Sequence, residues 1–222
     1  MLILCIDTSG RQGSVALVRG SEDRFELLGM TALDGGTYSA RLLPTIDSLL
    51  QQSELTAAEL DGFAVVSGPG SFTGLRVGLA TVKGLCEGLG KPLATVSMLE
   101  AVAVVYGTAG QRITAILDAG RGEVYVGEYE VEGQTARAVR EYIVKLAEFA
   151  PNFGEVITPD ASIADSLAGQ RIAVRGVAPV HADGVGRIGL GKLLAGDIAD
   201  HATVDVNYIR RSDAEIFSTP KR

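Results

Sequence analysis

The sequence predicts an α/β protein of two lobes, each built on a β-hairpin with helices after it, and three observations carry that prediction. Apolar residues 2–7 end in Asp7, pass through the turn-forming run Thr8-Ser9-Gly10-Arg11-Gln12-Gly13 and resume as a strand over 14–19. Residues 114–118 repeat the plan: an apolar run ends in Asp118, Ala119-Gly120-Arg121-Gly122 forms the turn, and an alternating strand follows over 123–129. Asp7 and Asp118 stand 111 positions apart in a chain of 222, so an internal duplication is the economical account.

The remaining elements follow in order. Residues 25–32 continue the first hairpin as a third strand. Leu42, Leu43, Ile46, Leu49 and Leu50 then recur at helical spacing, with Asp47, Ser48, Gln51 and Gln52 opposite them. Pro44 falls within this stretch and must lie in the opening turns or kink the helix. Thr56 with Glu59, and Ser97 with Glu100, have capping-box spacing ahead of a short and a longer helix. Residues 63–67 read as a strand and 74–88 as a helix. The expected lobe boundary lies near residues 107–111. It gives an N-terminal lobe of residues 1–108, with a Gly-rich loop and association helices, and a smaller, degenerate C-terminal lobe of residues 109–222.

Composition narrows the function classes. Hydrophobic residues make up 46% and charged residues 21%, with 28 glycines and no tryptophan, which is globular composition with close backbone packing. The net charge of −7 and pI of about 4.9 oppose binding of nucleic acid by bulk charge, so any RNA role needs a cationic partner. Cys5 and Cys86 have neither metal nor disulfide spacing and read as reduced, buried thiols. The N-terminus has no basic flank or cleavage motif, and no apolar run approaches the roughly 18 residues of a membrane span. A soluble, cytoplasmic protein with no membrane contact is expected.

Ser67-Gly68-Pro69-Gly70-Ser71-Phe72-Thr73-Gly74-Leu75-Arg76 is the most informative stretch. It follows a strand, turns on Gly-Pro-Gly and opens a helix for which Ser71 or Thr73 supplies the N-cap. It is not a P-loop, because no Gly-Lys-Ser/Thr follows, but free N–H groups there would suit an anion. Arg76 in the first turn opposes the helix dipole by about 0.3–1 kcal/mol and should have an anionic partner. That partner is either an internal carboxylate such as Asp7, or a bound phosphate or a partner's carboxylate. The candidate nucleotide or anion site therefore comprises Asp7, Thr8, Ser9, Gly68, Gly70, Ser71, Thr73, Gly74, Arg76, Asp118 and Gly120.

Gly74, Gly78, Gly84 and Gly88 burden one helix with about 0.8–1 kcal/mol each relative to alanine. Each pair is four residues apart and opens a smooth patch for another backbone, either this chain's own sheet or a helix of another subunit. Two such helices exceed what one sheet face easily covers. The expected subunit interface is Tyr38, Leu42, Leu43, Ile46, Leu49, Leu50, Gly74, Val77, Gly78, Thr81, Val82 and Leu85.

Two hairpin lobes with facing aspartates resemble the actin-like (ASKHA) superfamily, built from a duplicated ribonuclease-H-like unit. The run SGPGSFTGLRVG at 67–78, with ILCIDTS, RLLPTIDSLL, ILDAGRGEVYVGEY and VNYIRR in order, resembles the TsaB/YeaZ family over nearly the whole chain. That resemblance implies a non-catalytic partner of the TsaD transferase, required for threonylcarbamoyl transfer to adenosine 37 of tRNAs reading ANN codons. It implies contact with the P-loop ATPase subunit TsaE through the complex, with tRNA only indirectly, and homodimerisation of the isolated chain through the N-lobe helices. No cofactor of its own and no metal are expected, and ATP/ADP binding should be weak or shared with the partner. The paralogue's metal-binding histidine pair is missing from the first long helix, where Tyr38 stands near a histidine of relatives. The late adenosine-cradling turn is poorly matched by Ile172-Ala173-Val174-Arg175-Gly176-Val177.

Two alternative classes are a weak nucleotide-dependent kinase-like enzyme and a peptidase acting on its paralogue. A kinase-like enzyme would need the degraded adenosine turn. A peptidase would need a nucleophile with a base in reach, and His181 and His201 lie late in the chain, expected to face solvent. Arg210, Arg211, Lys221 and Arg222 form a basic C-terminus that is either a solvated tail or a docking segment.

Overall fold

A computed structural model describes residues 1–207 and residue 209. The basic C-terminal residues lie outside the described residues. In chain order the elements are β1 (Leu2–Asp7), β2 (Gln12–Gly20), β3 (Phe25–Asp34), α1 (Tyr38–Gln52), β4 (Gly62–Gly68), α2 (Phe72–Leu89), β5 (Leu93–Ser97) and α3 (Met98–Tyr106). The second half supplies β6 (Arg112–Gly120), β7 (Glu123–Val131), β8 (Ala136–Lys145), β9 (Glu155–Thr158), α4 (Ala161–Gly169), β10 (Arg175–Gly176) and α5 (Ala182–Leu194).

The two halves repeat one topology. The first sheet runs β3-β2-β1-β4-β5 and the second β8-β7-β6-β9-β10. In each, an antiparallel hairpin and third strand are continued by two parallel strands. Even the irregularity repeats. The β2–β3 register shifts between Leu17 and Val18, and the β7–β8 register shifts between Glu128 and Tyr129, again 111 positions on. A bulge conserved between the halves re-aims the third strand in both.

Five layers result. Helices α1 and α2 cover one face of the first sheet, α5 covers its other face, α3 sits between the sheets, and α4 backs the second sheet. Strand β1 is buried on both faces, so it reads as a continuous apolar run. Leu42, Ile46, Leu49 and Leu50 of α1, and Leu75, Leu79, Val82 and Cys86 of α2, enter the main core together. One sheet face therefore does accommodate both helices, contrary to the expectation. Pro44 is the seventh residue of α1, inside the helix.

Helix α5, not anticipated from the sequence, comes from the second half of the chain yet belongs to the core of the first sheet. A Cβ at Gly186 would press on Cys5 and Val18, and one at Gly189 would collide with Ala64. These glycines bring the helix down onto the strands. The capping box at Thr56 forms around a short 3₁₀ turn, Ala57–Glu59, with Glu59 accepting from both the N–H and the hydroxyl of Thr56 at 2.8 Å. The one expected at Ser97 does not close. The Ser97 hydroxyl donates instead to Glu141 at 2.6 Å, and Glu100 pairs with Lys192 at 2.7 Å. No helix of the described residues is long and apolar enough to cross a membrane.

Candidate functional site

The two hairpin turns face each other across a cleft of about 850 Å³. Its walls include Ser9, Gly10, Tyr38, Ser71, Thr73, Gly74, Asp118 and Tyr125. A recess of about 270 Å³ adjoins it, where Asp7, Asp118, Asp160 and His181 converge. The duplication thus assembles the site from equivalent ends of β1 and β6.

Asp7 ends β1 and is 3% exposed, its carboxylate accepting from the Ser9 N–H at 2.8 Å and the Ser9 hydroxyl at 2.6 Å. Burial raises its pKa, against the opposing pull of the Ser9 hydrogen bonds and the nearby His181. Asp118 accepts from Gly120 N–H at 2.7 Å, and its own N–H donates to Asp160 at 2.9 Å. His181, expected to face solvent, instead caps α5 and lines the recess beside Asp7. Ser14, opposite Asp7 in the hairpin, accepts the Ala182 N–H at 2.9 Å and so docks this helix end at the turn. His181, Asp160 and Tyr125 escaped sequence reasoning because tertiary packing alone brings them here. His201 lies elsewhere, bonded to Glu87 at 2.9 Å.

The Gly-rich loop folds as expected, with Ser71 as the N-cap of α2, accepting from Gly74 N–H at 3.3 Å. Two further donors are engaged: Ser71 N–H donates to Ser9 O at 2.6 Å and Leu75 N–H to Ser71 O at 2.9 Å. One N–H of the helix start thus holds the first hairpin, and two are taken up by Ser71 within the helix itself. Thr8 is fully buried beneath it, its hydroxyl donating to Gly74 O at 2.8 Å. Gly68 faces the segment at Asn207, outside the cleft walls. Gly120 shapes its turn with φ of 71°.

Arg76 does not reach the cleft. It stands two residues beyond Gly74, about 200° around the helix, where its guanidinium lies 3.9 Å from the Phe72 ring centre and lines a groove with residues 203–206. Of the two partners the sequence offers Arg76, Asp7 is not one in the structure, where its carboxylate is taken up by Ser9.

The expected subunit surface divides. Tyr38 is buried against the hairpin and donates to Gly10 O at 2.8 Å; burial, then Asp7 and Asp34, push its phenol up to about 12. Leu42, Ile46, Leu49, Leu50 and Val82 are core residues, and a Cβ at Gly74 or Gly78 would collide with Thr8. These positions serve this chain's own packing. Leu43 is 57% exposed, and Val77, Thr81 and Leu85 are partly so. Phe72, Ala80, Gly84 and Gly88 are exposed on α2, and a Cβ at either glycine meets nothing within 4 Å.

At the poorly matched adenosine turn, Arg175 pairs with Glu155 at 2.8 Å and donates to Tyr106 O at 2.9 Å, so it ties β9, β10 and the end of α3 together. Both cysteines are buried, and desolvation pushes the Cys86 thiol up to about 11 and Cys5 higher still, the reverse of an activated nucleophile. Among the described residues no group of three or more His, Cys, Asp or Glu side chains is arranged to hold a metal ion.

Residues 35–178 match a family model described as TsaD: tRNA N6-adenosine threonylcarbamoyltransferase. The chain is 36% identical over 150 residues to the tRNA threonylcarbamoyladenosine biosynthesis protein TsaB of Bacillus subtilis, covering 67% of this chain and 64% of that protein. It is 34% identical over 134 residues to the protein of the same description from Escherichia coli, covering 59% and 55%. The chain thus spans less than two thirds of the length of these relatives. A Pseudomonas aeruginosa structure described as similar to peptidase YEAZ superposes with a TM-score of 0.77 at 24% identity, over 94% of this chain and 99% of that one. The activator of 2-hydroxyisocaproyl-CoA dehydratase from Clostridium difficile, with bound ADPNP, gives 0.50 at 10% identity, over 90% and 99%. These likenesses are of fold, the actin-like two-lobed arrangement.

Proposed function

The chain belongs to the TsaB/YeaZ family, and from that premise we propose that it is a docking subunit in tRNA threonylcarbamoyladenosine biosynthesis, supporting a TsaD-type transferase and leaving the chemistry to it. The observation that carries this reading is the outward face of α1 and α2. On α1 Leu43 is 57% exposed and on α2 Phe72 is 45% exposed, and α2 also presents Gly84 and Gly88, open to the approach of another helix. Exposed large apolar side chains beside bare backbone suit close helix packing.

The cleft supports the division of labour. Its Gly-rich loop gives the Ser71 N–H to the first hairpin and those of Gly74 and Leu75 to the Ser71 cap, and Arg175 occupies the turn matched to the adenosine cradle. Nucleotide contact is accordingly weak or completed by the partner, and this chain brings no metal or cofactor of its own. The net charge of −7 favours contact with tRNA through the partner. A P-loop ATPase subunit (TsaE) joins through the complex. Without the transferase, the same helical face would pair two copies of this chain.

Native mass spectrometry of the chain mixed with a TsaD-type transferase tests the proposal. A heterodimer is expected, and Leu43→Asp or Gly84→Leu should abolish it while the variant melts no lower than the unaltered chain. Failure of the unaltered chain to associate, or threonylcarbamoyl transfer by the chain alone, would overturn the reading.

A further inference from the structure

Residues 199–207 run as a strap that touches both lobes. At one end, Ala199 N–H donates to Leu93 O at 2.7 Å beside the edge strand β5. Lys83 of α2 then holds the strap by its carbonyls, donating to Val204 O at 3.0 Å. At the other end Asn207 bonds in two directions. Its N–H donates to Ser67 O at 2.8 Å, at the end of β4, and its side-chain Nδ2 donates to Glu141 Oε2 at 3.0 Å, on β8 of the second sheet.

The contact with the Gly-rich loop is close. Gly68 has φ of 140°, and a Cβ there would stand 2.6 Å from Asn207 O, so the strap lies flush on the loop that turns into the cleft. Glu141 is itself a junction: its Oε1 accepts from Ser97, where β5 meets α3, and from Tyr129 of β7. One carboxylate thus gathers the second sheet, the start of the central helix and the strap.

We propose that the strap is an inter-lobe latch, in which Asn207 seated on Glu141 holds the second sheet and the loop around Gly68 in one arrangement. The chain crosses between the sheets at residues 107–111 and 177–181, and Ser97 on Glu141 and α3 between the sheets also join them, so the latch adds a reversible link to these. Its closing bond is one solvent-exposed, charge-assisted hydrogen bond, strong enough to bias the arrangement and weak enough to open. Opening it uncouples β8 from the loop and the strap seated on it, leaving Glu141 held by Ser97 and Tyr129. Because the strap also runs along α2, a change at that helix can reach the cleft through it.

Hydrogen–deuterium exchange of the full chain tests this with Asn207→Ala, which removes the link, and Asn207→Asp, which sets a like charge against Glu141. Both keep the backbone N–H to Ser67. Exchange in segments 62–72 and 136–145 is expected to rise about fivefold, as for loss of one exposed hydrogen bond, and more for the aspartate. Segments 2–7 and 113–117 should exchange as before. A rise confined to 199–207, no rise, or a uniform rise across both sheets would each overturn the latch.

Discussion

Asp7 and Asp118 each close a hairpin turn by accepting the N–H two residues downstream, from Ser9 at 2.8 Å and Gly120 at 2.7 Å, yet only Asp7 is buried. Burial raises the Asp7 pKa in the folded state above the value of about 3.9 expected when unfolded. Between those two values the folded chain holds the proton more tightly, so stability falls as pH rises through the window, and the full penalty is present above it. Asp7→Asn keeps an acceptor for Ser9 and removes the charge. It should raise the melting temperature at pH 7, by roughly 2–4 °C for each kcal/mol of relieved desolvation, with the gain shrinking toward about pH 4. Asp118→Asn should change stability by less than about 0.5 kcal/mol, as for an exposed site. Melts at the two pH values check this; a gain for Asp7→Asn that grows on acidification would contradict the account.

The glycines of α2 should sort into two kinds. Alanine at Gly74 drives a methyl group into Thr8 O. The helix cannot retreat without lengthening the Thr8–Gly74 and Ser71–Ser9 hydrogen bonds. Overpacking of this kind destabilises by about 1–3 kcal/mol. Gly78→Ala meets the Thr8 hydroxyl and should also destabilise. Alanine at Gly84 meets nothing within 4 Å and should stabilise the chain by about 0.8–1 kcal/mol through helix propensity, with less from Gly88 in the last turn. Urea midpoints of the four variants give the signs directly.

This sorting also marks how far the sequence could be read. Spacing identifies Gly74, Gly78, Gly84 and Gly88 as smooth patches, but only the rotation of α2 on its sheet says which pair lies on Thr8 and which is open. Strand β1 is legible because burial on both faces makes its composition continuous, and the duplication because Asp–turn–strand survives in both halves. Helix α5 was hidden by glycines at 184, 186, 189 and 191, which lower helix propensity while allowing close packing on Cys5, Val18 and Ala64. His181 went unrecognised at the cleft for the same reason, since it is this helix that carries its N-cap to the end of β1. Proximity in sequence offers Arg76 either Asp7 or a phosphate in the cleft as partner, whereas the helical turn points it away from the cleft.

Tyr38 fastens the first hairpin to α1. Its hydroxyl donates to Gly10 O, and its ring so closely covers Gly13 that a Cβ there would stand 2.8 Å from it. Tyr38→Phe keeps the ring and should cost about 0.5–1.5 kcal/mol for the lost hydrogen bond. Tyr38→Ala should cost about 3–5 kcal/mol, as for removal of a packed aromatic ring. The folded phenol pKa of about 12 lies above the unfolded value near 10. The stability advantage of the tyrosine over Tyr38→Phe should therefore be constant at neutral pH and decline as pH rises from about 10 toward 12. An advantage that increases over that range would show that the phenol is not held in its neutral form.

Glu100 and Lys192 form an ion pair between α3 and α5, 2.7 Å apart with side chains 9% and 19% exposed, and Lys192 also donates to Thr95 O at 3.1 Å. Desolvation raises the Glu100 pKa even though Lys192 opposes it, so the pair is held by mutual compensation in a poor solvent. Lys192→Met strands the carboxylate and should destabilise by about 3–5 kcal/mol, the loss expected for one partner of a buried pair. Lowering the pH should recover part of that loss in the variant, because protonated Glu100 no longer carries a buried charge. Glu100→Leu combined with Lys192→Met should be far less damaging than the two single changes added together, because neither charge is then left alone. Chemical denaturation of the four proteins closes the cycle. Additive losses would mean that the two helices are joined by packing, with the ion pair contributing no coupling of its own.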